Sequence, residues 1–164
     1  AASDVYKRQV LIDDDGQAWI FWGNGECYYA RLKENMIEIE GEICQVDFEG
    51  FVFEEAPWVH KRGDKYYLSY ASGFPERIAY AMADSIEGPW VYQGILNEWA
   101  GNSSSNHQAI QEYKGRWYFF YHNGVLKGGT SCSRSVCADY LYYNADGTMR
   151  RVQMTSEGVL PVVK

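Results

Sequence analysis

Three side chains in this sequence have types and spacing that suit joint action on a bound molecule: Glu55, His107 and Arg134. Glu55 lies eight residues before Gly63, and His107 lies eight residues before Gly115, so the two occupy the same place in similar segments. A carboxyl group can donate a proton, an imidazole titrates near neutrality, and a guanidinium offers a fixed fork of hydrogen-bond donors. The competing explanations are an ordinary surface glutamate, a hydrogen-bonded structural histidine and a solvated arginine.

The strands and turns that must position these residues are predicted from a repeated sequence pattern. Three segments, residues 14–23, 61–70 and 113–122, each combine a tight polar turn with an aromatic strand, which is typical of a β-hairpin. Their turn glycines lie 47 and then 52 residues apart. Alternation and turn residues predict a third strand after each hairpin, over residues 27–32, 77–83 and 136–143. A fourth is predicted over residues 38–46, 90–96 and 148–154.

Four antiparallel strands repeated about every 50 residues are the pattern of β-propeller blades. The sequence therefore predicts an all-β chain with three four-stranded blades, over residues 10–50, 51–100 and 101–164. Propellers typically need at least four blades to close, so this chain is predicted to be a fragment or to associate. A three-sheet β-prism or sandwich is the alternative fold. The first strand of each blade lines the channel, so Glu55 and His107 are predicted to face it.

Composition limits the partners of this chain. The net charge is −7 and the isoelectric point is about 4.9, which argues against nucleic acid and anionic membrane surfaces as partners. The longest apolar runs are about five residues, far short of a membrane span. Aromatic residues make up 16% of the chain, and Tyr and Trp combine a flat apolar face with a polar tip. A neutral carbohydrate is a partner compatible with all three observations.

The four cysteines match no zinc-binding spacing. Four free thiols are the simpler interpretation, and one disulfide remains an open alternative.

Five motifs together resemble glycoside hydrolase family 43, whose members are five-bladed propellers that hydrolyse polysaccharides containing arabinose and xylose. The resemblance runs from about Val10 to the end of the chain. The motifs are Ile12-Asp13-Asp14-Asp15-Gly16, Glu55-Ala56-Pro57-Trp58, Ile86-Glu87-Gly88-Pro89-Trp90, Asn106-His107-Gln108 and Arg134-Ser135-Val136-Cys137. The resemblance implies an inverting glycosidase acting on plant cell-wall polysaccharide and a secreted or periplasmic bacterial parent. A non-catalytic carbohydrate-binding propeller is the alternative function, and a plain interaction propeller is a third.

The resemblance assigns roles to single residues. It implies that Glu55 is the general acid, which protonates the leaving oxygen while an opposite carboxylate activates water. It implies that Arg134 reaches sugar hydroxyls, and that His107 contacts either the sugar or a structural calcium ion in the channel. Calcium prefers oxygen ligands, so one imidazole is a weak argument for it. No cofactor is required for the reaction. Further candidates for the walls of the sugar subsite are Trp22, Asn24, Trp58 and Phe74.

Two of the family's three catalytic carboxyls are missing from this sequence. The base lies on the first blade of family members, upstream of the segments present here. The aspartate that tunes the acid normally lies nine residues before the glycine of the Asp-Asp-Gly turn, and that position is Lys7 in this chain. Residues 1–9 do not follow the family pattern and are interpreted as a non-native leader. The fragment is therefore predicted to be inactive and to bind oligosaccharides of the arabinoxylan, arabinan or xylan type.

Overall fold

A computed structural model describes residues 7–47, 50 and 52–161, and residues 1–6 of the predicted leader lie outside this range. Its secondary structure consists of strands, and none of the described residues forms a helix that could cross a membrane. The strands are β1 Gln9–Ile12, β2 Ala18–Asn24, β3 Glu26–Leu32, β4 Ile39–Gln45, β5 Glu55–Arg62, β6 Lys65–Ser72, β7 Arg77–Ala83, β8 Val91–Asn97, β9 Ala109–Tyr113, β10 Arg116–Asn123 and β11 Ser135–Leu141. The all-β prediction is confirmed.

The strands form three successive antiparallel units. The first unit contains β1 to β4 and the second contains β5 to β8, each paired with its neighbours in chain order. A single residue pair, Asn24 with Glu55, joins β2 to β5 and links these two units into one sheet. The third unit is a separate sheet of β9, β10 and β11. The three predicted hairpin turns join β1 to β2, β5 to β6 and β9 to β10.

The third unit differs from the prediction in its fourth strand. Residues 148–154 contribute only an isolated bridge, between Tyr143 and Met149, rather than a strand beside β11. The reason is that this segment also bonds to the second unit: the Met149 N–H donates to the Tyr80 hydroxyl at 3.0 Å, and the Val152 N–H donates to the Leu96 carbonyl at 2.7 Å. These contacts pull the segment away from a regular ladder and fasten the third unit to the second.

Two apolar cores lie between the units and hold them face to face. The first core joins aromatic residues of β2 and β3, such as Phe21, to Leu68 and Tyr70 of β6. The second joins Tyr67 of β6 to Phe119 of β10. Phe21, Tyr67 and Phe119 are fully buried, and truncating such a ring to alanine costs roughly 3–5 kcal/mol of unfolding free energy. The interleaved aromatic strands thus fix the angle at which one unit meets the next.

Candidate active site

Glu55 begins β5 beside an irregularity that directs its side chain. The pairing register between β5 and β6 shifts between Glu55 and Trp58, so two residues face one on the partner strand, as in a β-bulge. Ala56 has a φ of 57°, and Pro57 has no N–H to donate to the ladder. The Ala56 carbonyl accepts a hydrogen bond from Gln108 Nε2 at 3.1 Å. Because of this bulge, the Glu55 side chain does not follow the regular alternation of side chains along the rest of β5.

The Glu55 carboxyl contacts polar side chains from three separate segments of the chain. Asn24 Nδ2 donates to Oε2 at 2.9 Å, and His107 Nε2 lies 2.7 Å from Oε1. The ammonium group of Lys7 forms an ion pair with the same Oε1. The Glu55 side chain is only 12% exposed, so these contacts replace most of its hydration. The structure therefore brings together Glu55, Asn24 and His107, three of the candidate site residues named from the sequence.

His107 lies two residues before β9 rather than within an innermost strand, which corrects its predicted place. Its Nε2 atom lies 3.3 Å from Glu76 Oε2, and Glu76 is 5% exposed. Glu76 also accepts a hydrogen bond from the Asn106 N–H at 2.7 Å. Burial alone would raise the pKa of Glu76, but the hydrogen bonds from His107 and from the Asn106 N–H outweigh it and lower that pKa. Glu76 thus remains an anion that anchors the His107 segment.

Arg134 joins the same cluster through His122 and Ser105. The His107 N–H donates to His122 Nε2 at 3.2 Å, and Arg134 Nη1 lies 3.4 Å from that nitrogen. Arg134 also donates to Ser105 Oγ at 2.8 Å. Burial, and then the charge of Arg134, lowers the pKa of His122 to about 4, so this imidazole is neutral at pH 7. Glu55, His107 and Arg134 consequently lie in one polar cluster at one end of the strands.

The aromatic candidates for a sugar subsite divide into exposed and packed rings. Phe74 is 76% exposed in the loop between β6 and β7, two residues before Glu76, and it is free to stack on a ligand. Trp22 is half-buried and stacks on Tyr28 with ring centroids 6.0 Å apart. Trp58 donates from Nε1 to the Ile110 carbonyl at 3.0 Å and packs against the second core. These contacts favour a structural role for Trp58, which links β5 to β9.

Trp58→Phe tests this structural explanation. The substitution keeps an aromatic ring and removes the donor to the Ile110 carbonyl, so we expect a loss of about 1–2 kcal/mol in unfolding free energy. Urea titration followed by far-ultraviolet circular dichroism measures the loss. Trp22→Phe is the control, since the contact described for Trp22 is ring stacking on Tyr28, which phenylalanine can keep. Unchanged stability of Trp58→Phe would contradict the role of the indole N–H.

The residues around His107 do not fit a calcium ion as they are arranged. Glu55, Glu76 and His107 each offer a ligand atom within 4.8 Å of the others. However, the Lys7 ammonium contacts the Glu55 carboxylate and lies 3.3 Å from His107 Nε2. Burial lowers the pKa of Lys7, and the negative charge of Glu76 opposes this shift. A divalent cation would be repelled by this ammonium, and no catalytic step is assigned to calcium.

Sequence comparisons identify relatives over most of the chain. The model of the family "Glycosyl hydrolases family 43" matches residues 8–149. A xylosidase/arabinosidase of Bacteroides ovatus is 37% identical over 141 residues, which cover 78% of this chain and 43% of the relative. A beta-xylosidase of Xylanibacter ruminicola is 40% identical over 101 residues, covering 62% of this chain and 31% of the relative. The chain thus spans less than half the length of these curated relatives.

Solved structures with the same fold agree with this match. A GH43_1 enzyme of Xanthomonas citri superposes with a TM-score of 0.84 at 30% identity, covering 95% of this chain and 59% of that one. An α-L-arabinofuranosidase of Clostridium thermocellum gives a TM-score of 0.77 at 36% identity, with 90% of this chain and 52% of that chain covered. The three units are accordingly part of a β-propeller. By family match, by fold and by sequence, the chain belongs to glycosyl hydrolase family 43, a family of glycosidases.

Proposed function

We propose that this chain is part of a glycosidase that removes xylosyl or arabinofuranosyl units from plant polysaccharide with inversion of configuration, and that Glu55 is its general acid. The observation that carries the proposal is the position of Glu55. Its carboxyl starts a bulged strand and lies beside Asn24 and His107, at the end of the sheets where Phe74 is exposed. Partial burial is the environment in which a carboxyl can hold a proton near neutrality.

Xylose-containing oligosaccharides are the proposed substrate class. The Xanthomonas citri enzyme has been solved in complex with xylose and with xylotriose. The matched relatives carry the names xylosidase/arabinosidase and beta-xylosidase. These names support xylan-type oligosaccharides as partners, whereas arabinan and arabinoxylan remain part of the proposal on the basis of sequence resemblance alone.

The chain as it stands is proposed to bind sugar without hydrolysing it. Inverting glycosidases separate their two carboxyl groups by about 6.5–9.5 Å to admit water. Glu76 lies within 4.8 Å of Glu55 and is nearly fully buried, so it does not fit the place of the base. The Lys7 ammonium forms an ion pair with Glu55, whereas a general acid must give a proton to the leaving oxygen. This contact favours the carbohydrate-binding alternative for the fragment itself.

Glu55→Gln in a full-length protein that contains this segment is the test of the general acid. On a substrate with a poor leaving group, such as xylobiose, we expect kcat to fall by about 10²–10⁴. On a dinitrophenyl xyloside, whose leaving group departs without protonation, the loss should be much smaller. Glu54→Gln is the matched control because it removes the neighbouring carboxyl. Full activity of Glu55→Gln on xylobiose would remove the assignment.

Two further measurements separate the parts of the proposal. Proton magnetic resonance of the first product should show the anomer opposite to that of the substrate, as inversion requires. The 164-residue chain should show no turnover above background on either substrate. Retention of configuration would overturn the mechanism, and turnover by this chain would overturn the proposed inactivity.

A further inference from the structure

A second concave surface lies at the opposite end of the sheets from Glu55. Glu55 begins β5 and Arg62 ends it, and eight residues at about 3.3 Å per residue place the two some 23 Å apart along the strand. A groove of about 470 Å³ lies at the Arg62 end, between the second and third units. Its walls include two arginines and four aromatic residues: Arg62, Arg116, Trp117, Tyr140, Tyr142 and Tyr143. We call this surface the arginine–tyrosine groove.

Each arginine of the groove lies over a tyrosine ring. The guanidinium carbon of Arg62 is 4.3 Å from the centroid of the Tyr143 ring, and that of Arg116 is 5.8 Å from the centroid of the Tyr140 ring. The ring face attracts a guanidinium placed over it, and the N–H donors of that group can still reach a ligand. The aromatic faces thus preorganise two sets of donors.

Within the described part of the chain, which is acidic overall, these two cations have no acidic partner. Among the residues that the structure describes, no carboxylate forms an ion pair with Arg62 or Arg116, and none lines the groove. The net charge of the chain is −7, so unpaired arginines are not explained by a general excess of positive charge. Tyr142 adds an aromatic ring that is 59% exposed. The groove therefore combines two guanidinium groups that have no carboxylate partner among the described residues with an exposed aromatic surface.

We propose that the arginine–tyrosine groove binds a sugar chain that carries a carboxylate. A guanidinium pairs with a carboxylate through two parallel hydrogen bonds, and tyrosine rings stack on the flat faces of sugars. Two arginines beside a row of rings match a uronic acid attached to neutral sugars better than they match a small anion. The inference rests on the proposed function in one respect, namely that this chain recognises polysaccharide. It assigns to the groove a binding role separate from the site around Glu55.

Calorimetric titration of the 164-residue chain tests the proposal with three probes. They are a xylo-oligosaccharide bearing one glucuronic acid, the neutral oligosaccharide of the same length, and inorganic phosphate. We expect the acidic oligosaccharide to bind about tenfold more tightly than the neutral one, the gain of one charge-assisted contact. Its affinity should fall in 0.5 M salt. Equal affinity for the two oligosaccharides, or displacement of the acidic one by an equal concentration of phosphate, would overturn the proposal.

Three variants locate the binding. Arg62→Gln and Arg116→Gln should each weaken the acidic oligosaccharide about tenfold, and Tyr142→Ala, at an exposed position, should weaken both oligosaccharides. Lys114→Gln is the matched control, because this lysine lies over Tyr113 outside the groove. Glu55→Gln alters the site at the other end of the strands, so the preference for the acidic over the neutral oligosaccharide should persist in this variant. The titration measures binding and not hydrolysis. Its outcome therefore does not depend on whether Glu55 is the general acid. Loss of that preference in Glu55→Gln would place the acidic group at the other site and refute the groove.

Discussion

Acidification from pH 6.5 to pH 4 should lower the unfolding free energy of this chain by about 3 kcal/mol through His60 alone. Burial, and then the charge of Arg62, lowers the pKa of His60 to about 3 from its ordinary value of 6.5. The unfolded chain therefore takes up a proton across this interval while the folded chain does not. His60 is enclosed between Tyr67, whose ring centroid is 4.8 Å away, and Trp117 at 5.1 Å.

The sign of the effect follows from the depressed pKa. The contribution of His60 is fully present above pH 6.5 and is lost as the pH falls toward 3. His122, with a pKa of about 4, acts in the same direction. Urea titrations followed by tryptophan fluorescence at pH 7, 6, 5 and 4 measure the slope, which is about 1.4 kcal/mol per pH unit for each such group.

His60→Phe isolates the effect of this imidazole. The variant keeps an aromatic ring between Tyr67 and Trp117, so its stability should depend less steeply on pH. Tyr143→Phe is the matched control: it removes the hydroxyl 2.8 Å from His60 Nε2 but leaves the imidazole buried, so the slope should persist. An identical pH slope in His60→Phe and in the unaltered chain would contradict the assignment.

Gly23→Ala should unfold most of the first unit. Gly23 lies near the end of β2 with a φ of 144°, and a Cβ added there would lie 1.8 Å from the Glu26 carbonyl oxygen. That atom belongs to the backbone of the following strand, so no side chain can move to relieve the clash. We expect a loss of at least about 4 kcal/mol in unfolding free energy, which is the range of exceptional substitutions.

Gly16→Ala is the control that separates the clash from the backbone conformation. Gly16 has a φ of 86°, and a Cβ there meets nothing within 4 Å. Its substitution should cost about 1–2 kcal/mol, the penalty for an L-residue in a left-handed conformation. Thermal unfolding by circular dichroism compares the two variants. Equal losses would show that conformation, and not the Glu26 carbonyl, makes the glycine necessary at position 23.

The hairpins were predictable because their signals are local. A polar turn such as that around Gly63, followed by the aromatic run of β6, specifies both the turn and the strand within ten residues. The fourth strand of the third unit was not predictable in the same way. Residues 148–154 have strand-like composition, but Tyr80 and Leu96 of another unit take their hydrogen bonds. Competition between partners distant in sequence is not visible in a local pattern.

The same distinction holds in the site. Glu55, His107 and Arg134 could be named as candidates because short motifs mark all three and equal spacing marks the first two. Glu76 gave no such signal, and its role depends on a contact with His107, 31 residues later. The one sequence feature that could have pointed to Glu76 is its position directly after the Gly73-Phe74-Pro75 loop. The contact of Lys7 with Glu55 likewise spans 48 residues and follows from the folded geometry.

The proposed acid, Glu55, lies at the β-ladder pair that joins the first unit to the second. In the described part of the chain it is the only β-ladder pair between β2 and β5, and the Gly25 N–H donates to the Glu54 carbonyl beside it at 2.7 Å. Elsewhere the two units are joined through side chains, by apolar packing and by contacts such as that of the Val59 N–H with Gln9 Oε1, whereas this pair joins their backbones. A displacement of one unit along the other would therefore change the orientation of Glu55, so that reactivity there depends on the alignment of the two units.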